Sequence, residues 1–273
     1  VARIVEFEAV VDTSYFSAVQ LQLRTVGALC WSALARWLKH HLVAFPRLIQ
    51  GERCGLVVLG FHYEASEAVS FFDCESLLVR AGLRAMRRGA RAELDVRFSN
   101  RGREIAAARL VLCPVAIEDP VSLAASPRPF DDRLLARFQD DERVSGSPSR
   151  VLPERRTELE SRGPALAQRV TPFFVHRQLC EVAEQWSWIE VSGYAEAARE
   201  RLALDQATAH PALQIALREP LRRFDVEFSR PFYSFERGEI VTRAYAAGGR
   251  LGLVHSLVSD GGAALHALVV EAF

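Results

Sequence analysis

The sequence predicts an α+β protein made of two repeats, each an antiparallel sheet curved around one long central helix. Three observations predict it. Each half reads as a strand, a long helix and then four strands. The second half repeats that order at an offset of about 160–170 residues, although literal identity between the halves is low. Both helical stretches are apolar over more than one narrow stripe, as a rod wrapped by a sheet has to be.

Taken in order, "RIVEFEAVV" (3–11) alternates like a strand. A helix is expected from Leu21 to Leu42, because Val26, Leu29, Cys30, Ala33, Leu34, Trp37 and Leu38 recur at three- and four-residue steps. Pro46 discourages its continuation. Strand-like runs follow at 55–65, 75–86, 90–100 and 104–117, separated by the short polar or Gly-containing punctuation of hairpins. The stretch from Glu118 to Arg169 is rich in Pro, Ser and charge; "DDRLLARF" suits a short helix, and "VSGSPSRVLPERR" reads as exposed linker. The plan then repeats: a strand at 170–179, a helix at 187–204, and strands at 221–232, 239–248, 250–260 and 263–273. The expected boundaries are 1–118 for the first unit, 119–168 for the linker and 169–273 for the second unit.

Composition narrows the function classes. The 273 residues are 49% hydrophobic, a globular value. The 34 basic and 34 acidic residues cancel, which argues against a nucleic-acid-binding face. No apolar run reaches the roughly 18 residues of a membrane span, and "VARIVEFEAVV" does not read as a signal peptide. The 5 cysteines are scattered with no C-x-x-C pair, so reduced thiols in a cytoplasmic protein are expected, and no metal site.

One stretch joins the second strand-like region to its helix: "CEVAEQWSWIEVSGYAEAARERL", Cys180 to Leu202. It resembles the loop-and-helix signature of the 4-hydroxybenzoyl-CoA thioesterase-like hotdog family, T-D-x-x-G-H-V-N-N followed by a helical Tyr and E-x-A-R. Cys180 and Glu181 stand at the T-D pair, Glu184 and Gln185 at G-H, and Tyr194, Glu196, Ala198 and Arg199 at the helix positions. In the first half, "DTSYFSAVQ" (12–20) looks like a worn copy, with Ser14 in place of the acid and Ala18 in place of the His. "FHYEASEAVSFFDCESLLVRAGLRAM" resembles the matching stretch of enediyne polyketide thioesterases, which share the fold. The order of elements is that of the hotdog fold, and two copies in one chain make a double hotdog. Such a chain is a pseudo-dimer, acting as a monomer or pairing again as a homodimer.

The resemblance implies cleavage of an acyl thioester at the interface of two hotdog units, near the start of a long helix whose first-turn backbone N–H groups polarise the carbonyl. Coenzyme A or an acyl carrier protein's phosphopantetheine arm would arrive as part of the substrate, and no separate cofactor is implied. Glu181 is then the catalytic base or nucleophile, and Gln185, which hydrogen-bonds but cannot shuttle a proton, a positioning group. Without the resemblance, Glu181 is a carboxylate favoured near a helix N-terminus. Trp186 and Trp188 would line an acyl tunnel or simply fill core, and Tyr194 is a packing residue or faces the cleft. Asp12, Ser14, Ser17 and Gln20 form a second site or ordinary turn and cap chemistry. Arg24 binds a substrate phosphate or stands solvated. Arg199 pairs with Glu196 or Glu200 at the helix surface or an interface. His62, His176, His255 and His266 read as structural strand residues.

The leading function is hydrolysis of a polyketide or fatty acyl thioester. The alternatives are dehydration of a 3-hydroxyacyl thioester or acyl transfer on the same fold, and non-catalytic binding of a carrier protein or product. Neither loop shows the D-x-x-x-x-H pattern of hotdog hydratases.

Overall fold

The protein is described by a computed structural model covering residues 2–119, 121–148 and 151–273. Strand β1 (Ile4–Val10) buries Val5 and Ala9 on alternate positions. Helix α1 (Leu23–His41) buries Val26, Cys30, Ala33, Leu34, Trp37 and Leu38, the face that the three- and four-residue spacing predicts. Pro46 opens a further short helix, α2 (Phe45–Gln50), at a first-turn position where its missing N–H is harmless. Strands β2 (Cys54–Ala65), β3 (Ser76–Met86), β4 (Arg91–Asn100) and β5 (Arg103–Ile117) complete the first repeat.

Short pieces follow: β6 (Ala125–Pro127), α3 (Asp132–Leu135), β7 (Arg143–Val144) and α4 (Leu152–Glu160). The second repeat holds β8 (Ala167–Phe174), α5 (Glu190–Gln206), α6 (Ile215–Arg218), β9 (Arg223–Phe228), β10 (Arg237–Ala247), β11 (Arg250–Ser259) and β12 (Ala264–Ala272). This is the double-hotdog α+β architecture expected. The two sheets are one, however. Among the described residues twelve strands form a single sheet, ten along the path β1-β3-β4-β5-β2-β9-β12-β11-β10-β8 with β6 beside β5 and β7 beside β3, and β2 pairs antiparallel with β9 from Gly60↔Glu227 to Glu64↔Arg223. The two long helices share the concave side. They approach closely at Gly27, where a Cβ would lie 3.3 Å from both Trp188 and Ile189 side chains.

The segment read as exposed linker is partly packed. Leu152 and Leu159 of α4 are buried on the outer sheet face against Tyr245, Val254 and Val270. Gly252 makes the seat: a Cβ there would stand 2.5 Å from Leu159. Pro120, Ser149 and Arg150 of that expected linker lie outside the described residues. Further along, β8 ends at Phe174, so His176 is not in a strand but precedes a short turn at Arg177–Leu179.

Arg199 is also not at the surface. It is buried beneath α5, where Nη1 donates to Glu271 Oε1 at 2.7 Å and Nη2 to Glu196 at 3.1 Å. Glu271 Oε2 meets His255 Nε2 at 3.2 Å, and His255 Nδ1 meets Thr242 Oγ1 at 2.9 Å. Burial alone would raise the Glu271 carboxyl, but Arg199 and His255 hold it at about 2. Strand pairing puts Leu110, Val96 and Ala81 at the matching places in the first repeat, since bulges after Phe98 and Leu257 align the two sheets. Leu34 stands for Arg199. One repeat has an apolar core there, and the other an ionic chain.

Two stability predictions follow from these buried charges. Arg199→Leu alone strands Glu271 and is expected to cost about 3–5 kcal/mol. Changing Arg199, Glu271, His255 and Thr242 together to Leu, Leu, Val and Ala should recover most of that, as measured by urea unfolding. The second concerns Glu142, whose fully buried side chain accepts Arg3 Nε at 2.8 Å, Arg3 Nη2 at 2.5 Å and Gln139 N at 2.8 Å. Burial opposes its charge, but those donors overcome burial and hold its pKa at about 2. A depressed carboxylate stabilises above its unfolded pKa and loses that contribution as pH falls through the folded value. Glu142→Gln should therefore cost about 1–2 kcal/mol at pH 7, after allowance for the partly exposed Arg3, and the gap from wild type should close toward pH 2.

Candidate active site at the junction of the repeats

A cavity of about 170 Å³ opens where the loop before α5 meets β2 of the first repeat. The loop is held by its own backbone. Glu181 N donates to Gln185 O at 2.8 Å, Ser187 N to Leu179 O at 2.9 Å, and Trp186 N to Phe232 O at 2.8 Å. Glu184 takes φ +56° between them, which lets the turn close within so few residues. These bonds send Glu181, Gln185, Trp186 and Trp188 to one cavity.

The opposite wall comes from the other repeat. Leu56 to Leu59 of β2 line it, and Leu59 is the extra residue of a bulge, because the ladder steps from Val58↔Leu112 to Gly60↔Val111. Trp31 of α1 closes a side and packs against Trp188, with ring centroids 6.0 Å apart. Phe228, Phe232, His266 and the exposed Arg230 also line it. Among the described residues, the Trp186 and Trp188 indole nitrogens are buried without a hydrogen-bond partner.

Glu181 is exposed as a residue, yet its carboxyl lies against the cavity wall, and the resulting desolvation raises its pKa above the ordinary glutamate value. The Ser187 hydroxyl, donating to Oε1 at 3.1 Å, pulls the other way. His266 was expected to be structural, but it lines this cavity. Its Nδ1 donates to the Pro231 carbonyl at 3.0 Å, which leaves Nε2 to accept from Ser259 Oγ at 2.8 Å. Desolvation lowers its pKa, and its ring stacks on Phe232 at 3.6 Å. With both nitrogens engaged, it is a fixed neutral wall residue.

The remaining sequence-predicted residues lie elsewhere. Tyr194 stands behind Trp186, ring centroids 4.9 Å apart, and donates to Phe174 O at 3.2 Å. Asp12 accepts Ser14 N at 2.7 Å and Ser14 Oγ at 2.6 Å, a local turn that caps no helix and lowers the Asp12 pKa. Arg24 stays largely exposed, and its Nη2 pairs with Glu190 at 2.9 Å, which ties the starts of α1 and α5 together. Gln20 Oε1 accepts Leu221 N at 2.6 Å and lines a different cavity. His176 packs against Phe174 and makes no hydrogen bond to Glu181 among the described residues. The first-turn N–H groups of Glu190 and Val191 already donate to Ser187 and Trp188 carbonyls, at 3.0 and 3.4 Å.

Backbone bonds also reset the correspondence between the loops. Ser17 N donates to Gln20 O at 2.8 Å and Gln22 N to Tyr15 O at 2.8 Å, the same pattern as Glu181 to Gln185 and Ser187 to Leu179. Ser17, rather than Ser14, therefore stands at the place of Glu181, and the second loop is one residue longer. Among the described residues, no group of three His, Cys, Asp or Glu side chains is placed to hold a metal ion, and no helix is long and apolar enough to cross a membrane.

No protein-family model matches the chain, and no curated protein matches it by sequence. Solved structures do match over nearly the whole length. A protein provisionally assigned as an oleoyl thioesterase from Lactobacillus plantarum is 11% identical, with TM-score 0.73 over 99% of this chain and 96% of that one. The 12:0-ACP thioesterase from Umbellularia californica is 10% identical, with TM-score 0.64 over 98% and 96%. An acyl-ACP thioesterase from Bacteroides thetaiotaomicron is 10% identical, with TM-score 0.62 over 98% and 96%. At such identity the likeness establishes the shared tandem hotdog fold.

Ser187→Ala removes the one side-chain donor that favours the charged Glu181. Its carboxyl should then titrate at a still higher pH, visible as a shifted midpoint in a carbon-detected NMR titration of labelled glutamate.

Proposed function

We propose that the protein hydrolyses an acyl thioester at this cavity. The reading rests on one observation above all: a carboxylate of raised pKa lies at an aromatic-walled cavity between two hotdog units. Glu181 takes a proton from water as the water oxygen attacks the thioester carbonyl. The side-chain amide of Gln185 donates to the developing oxyanion. The tetrahedral intermediate then collapses, the carbon–sulfur bond breaks, and the leaving thiolate takes the proton held by Glu181, which restores the carboxylate. The products are a free acid and a thiol. Trp31, Trp186 and Trp188 receive the apolar part of the acyl group. Units 1–118 and 169–273 each supply one wall.

The thiol partner is coenzyme A or an acyl carrier protein, as the fold's thioesterases named above suggest, and the acyl chain is of fatty or polyketide type. The free-thiol assay with acyl-CoA and acyl-carrier-protein panels tests this directly. Glu181→Gln should lower kcat/KM by about 10²–10⁴-fold without loss of fold. The base must be ionised to act, so wild-type kcat/KM should rise with pH through a midpoint above that of an ordinary glutamate. Water loss from a 3-hydroxyacyl thioester without thiol release would replace this reading by a dehydratase. Tight binding with no turnover would replace it by a carrier or product binder.

A further inference from the structure

A second, larger cavity of about 720 Å³ lies at the other end of the β2–β9 seam. It is the internal-repeat counterpart of the first. Ser66 N and Glu67 N donate to Ile105 O at 2.8 and 3.2 Å, just as Ser229 N and Arg230 N donate to His266 O at 2.8 and 3.3 Å. With the loop correspondence above, these bonds pair the walls residue by residue. Leu21 stands for Trp186, Ala65 for Phe228, Val69 for Phe232 and Ile105 for His266. Four aromatic rings are thus replaced by aliphatic side chains, and space opens as side-chain volume falls. Ser17 stands for Glu181, so this end lacks the counterpart of that carboxylate.

The floor is apolar, with Leu21, Val69, Ile105 and Leu221. The rim is cationic. Arg222 and Arg250 are exposed, line the cavity and make no side-chain ion pair or hydrogen bond among the described residues. Two acids share the rim. Glu67 is paired with Arg103 at 3.0 Å, and Glu219 leaves the pair of guanidinium groups one positive charge in excess. An apolar floor beneath a polar rim that carries two guanidinium groups is complementary to an apolar chain with a carboxylate head.

We propose that this cavity is a second, non-hydrolytic binding site for a chain-bearing carboxylic acid. The inference needs only binding and stands apart from the reaction assigned to Glu181, although a free acid is also what that reaction would release. Dodecanoate, titrated calorimetrically into the full chain, is the probe; dodecanol and decyl phosphate are the head-group controls. Arg222→Glu with Arg250→Glu, and separately Ala65→Phe and Val69→Phe, which restore the counterpart rings, should each weaken this site at least tenfold or remove one equivalent. Glu181→Gln should leave that equivalent in place. Dodecanol should not occupy it, and tight decyl phosphate binding would mark an anion site without carboxylate preference and overturn the head-group assignment. Unchanged dodecanoate isotherms in the filled variants would overturn the site. Should those variants fail to fold, as judged by circular dichroism, the exposed arginine pair carries the test alone, and an unchanged isotherm there overturns the proposal equally.

Discussion

The structure depends on one pairing: β2 against β9. Each is an edge strand of its own repeat, and an unpaired edge invites association with any other chain. Joined antiparallel from Gly60↔Glu227 to Glu64↔Arg223, each satisfies the other, and two half-sheets become one. The seam carries a charged rivet on its outer side. His62 Nδ1 meets Asp225 Oδ1 at 2.9 Å, and Arg155 of α4 pairs with the second oxygen of the same buried carboxylate. One group comes from each repeat and one from the segment between them. The same antiparallel geometry sets the positions of the cavities. The start of β2 faces the exit of β9 at one end, and the exit of β2 faces the start of β9 at the other.

Two repeats of one plan have diverged in opposite directions. The second repeat keeps large aromatic rings and a carboxylate at its cavity, while the first has aliphatic side chains and a serine. Beneath the helices the polarity is reversed from what economy would suggest. The first repeat packs Leu34, Leu110, Val96 and Ala81; the second spends buried charge on Arg199, Glu271 and His255. A buried ionic chain rarely adds net stability over well-packed apolar residues. It does discriminate. Placing α1 over the second half-sheet would leave the buried Glu271 without its arginine, and placing α5 over the first would drive Arg199 into hydrocarbon. Two homologous helices beside two homologous half-sheets are thereby held to their own partners.

The elements were legible in the sequence because their signals are local. Alternation, helical spacing and Gly-containing turns place every long strand and both long helices within a few residues of where they lie. What escaped was non-local or sparse. Helix α4 offers only Leu152 and Leu159 as buried anchors, too few to show a period. Glu196 and Arg199, three apart, have the spacing of a surface ion pair, and nothing local tells that Glu271, on a distant strand, draws the arginine inward. Leu59 reaches its cavity through a bulge, and His266 through a strand far from the loop it faces. The difference of one residue in loop length shifted Ser14 into a place that the hydrogen bonds give to Ser17. Glu181, Gln185, Trp186 and Trp188 were within reach because one short loop carries all four.

The chemistry of the Glu181 cavity follows from how little competes with that carboxylate. Arg24, near the helix starts, is paired with Glu190, and Arg230, which lines the cavity, is exposed to solvent, so that burial and the Ser187 hydroxyl govern the Glu181 carboxyl. His266 is kept neutral by desolvation and by its carbonyl and hydroxyl partners. The walls are mostly aromatic and aliphatic. A carboxylate with only a serine hydroxyl for support is poorly stabilised as an anion, and a poorly stabilised anion is a stronger base. The same tryptophan walls that would receive an apolar chain therefore also set the basicity of the group beside it. In the first repeat both features differ together: aliphatic side chains stand where the second repeat has rings, and Ser17 stands in the place of Glu181.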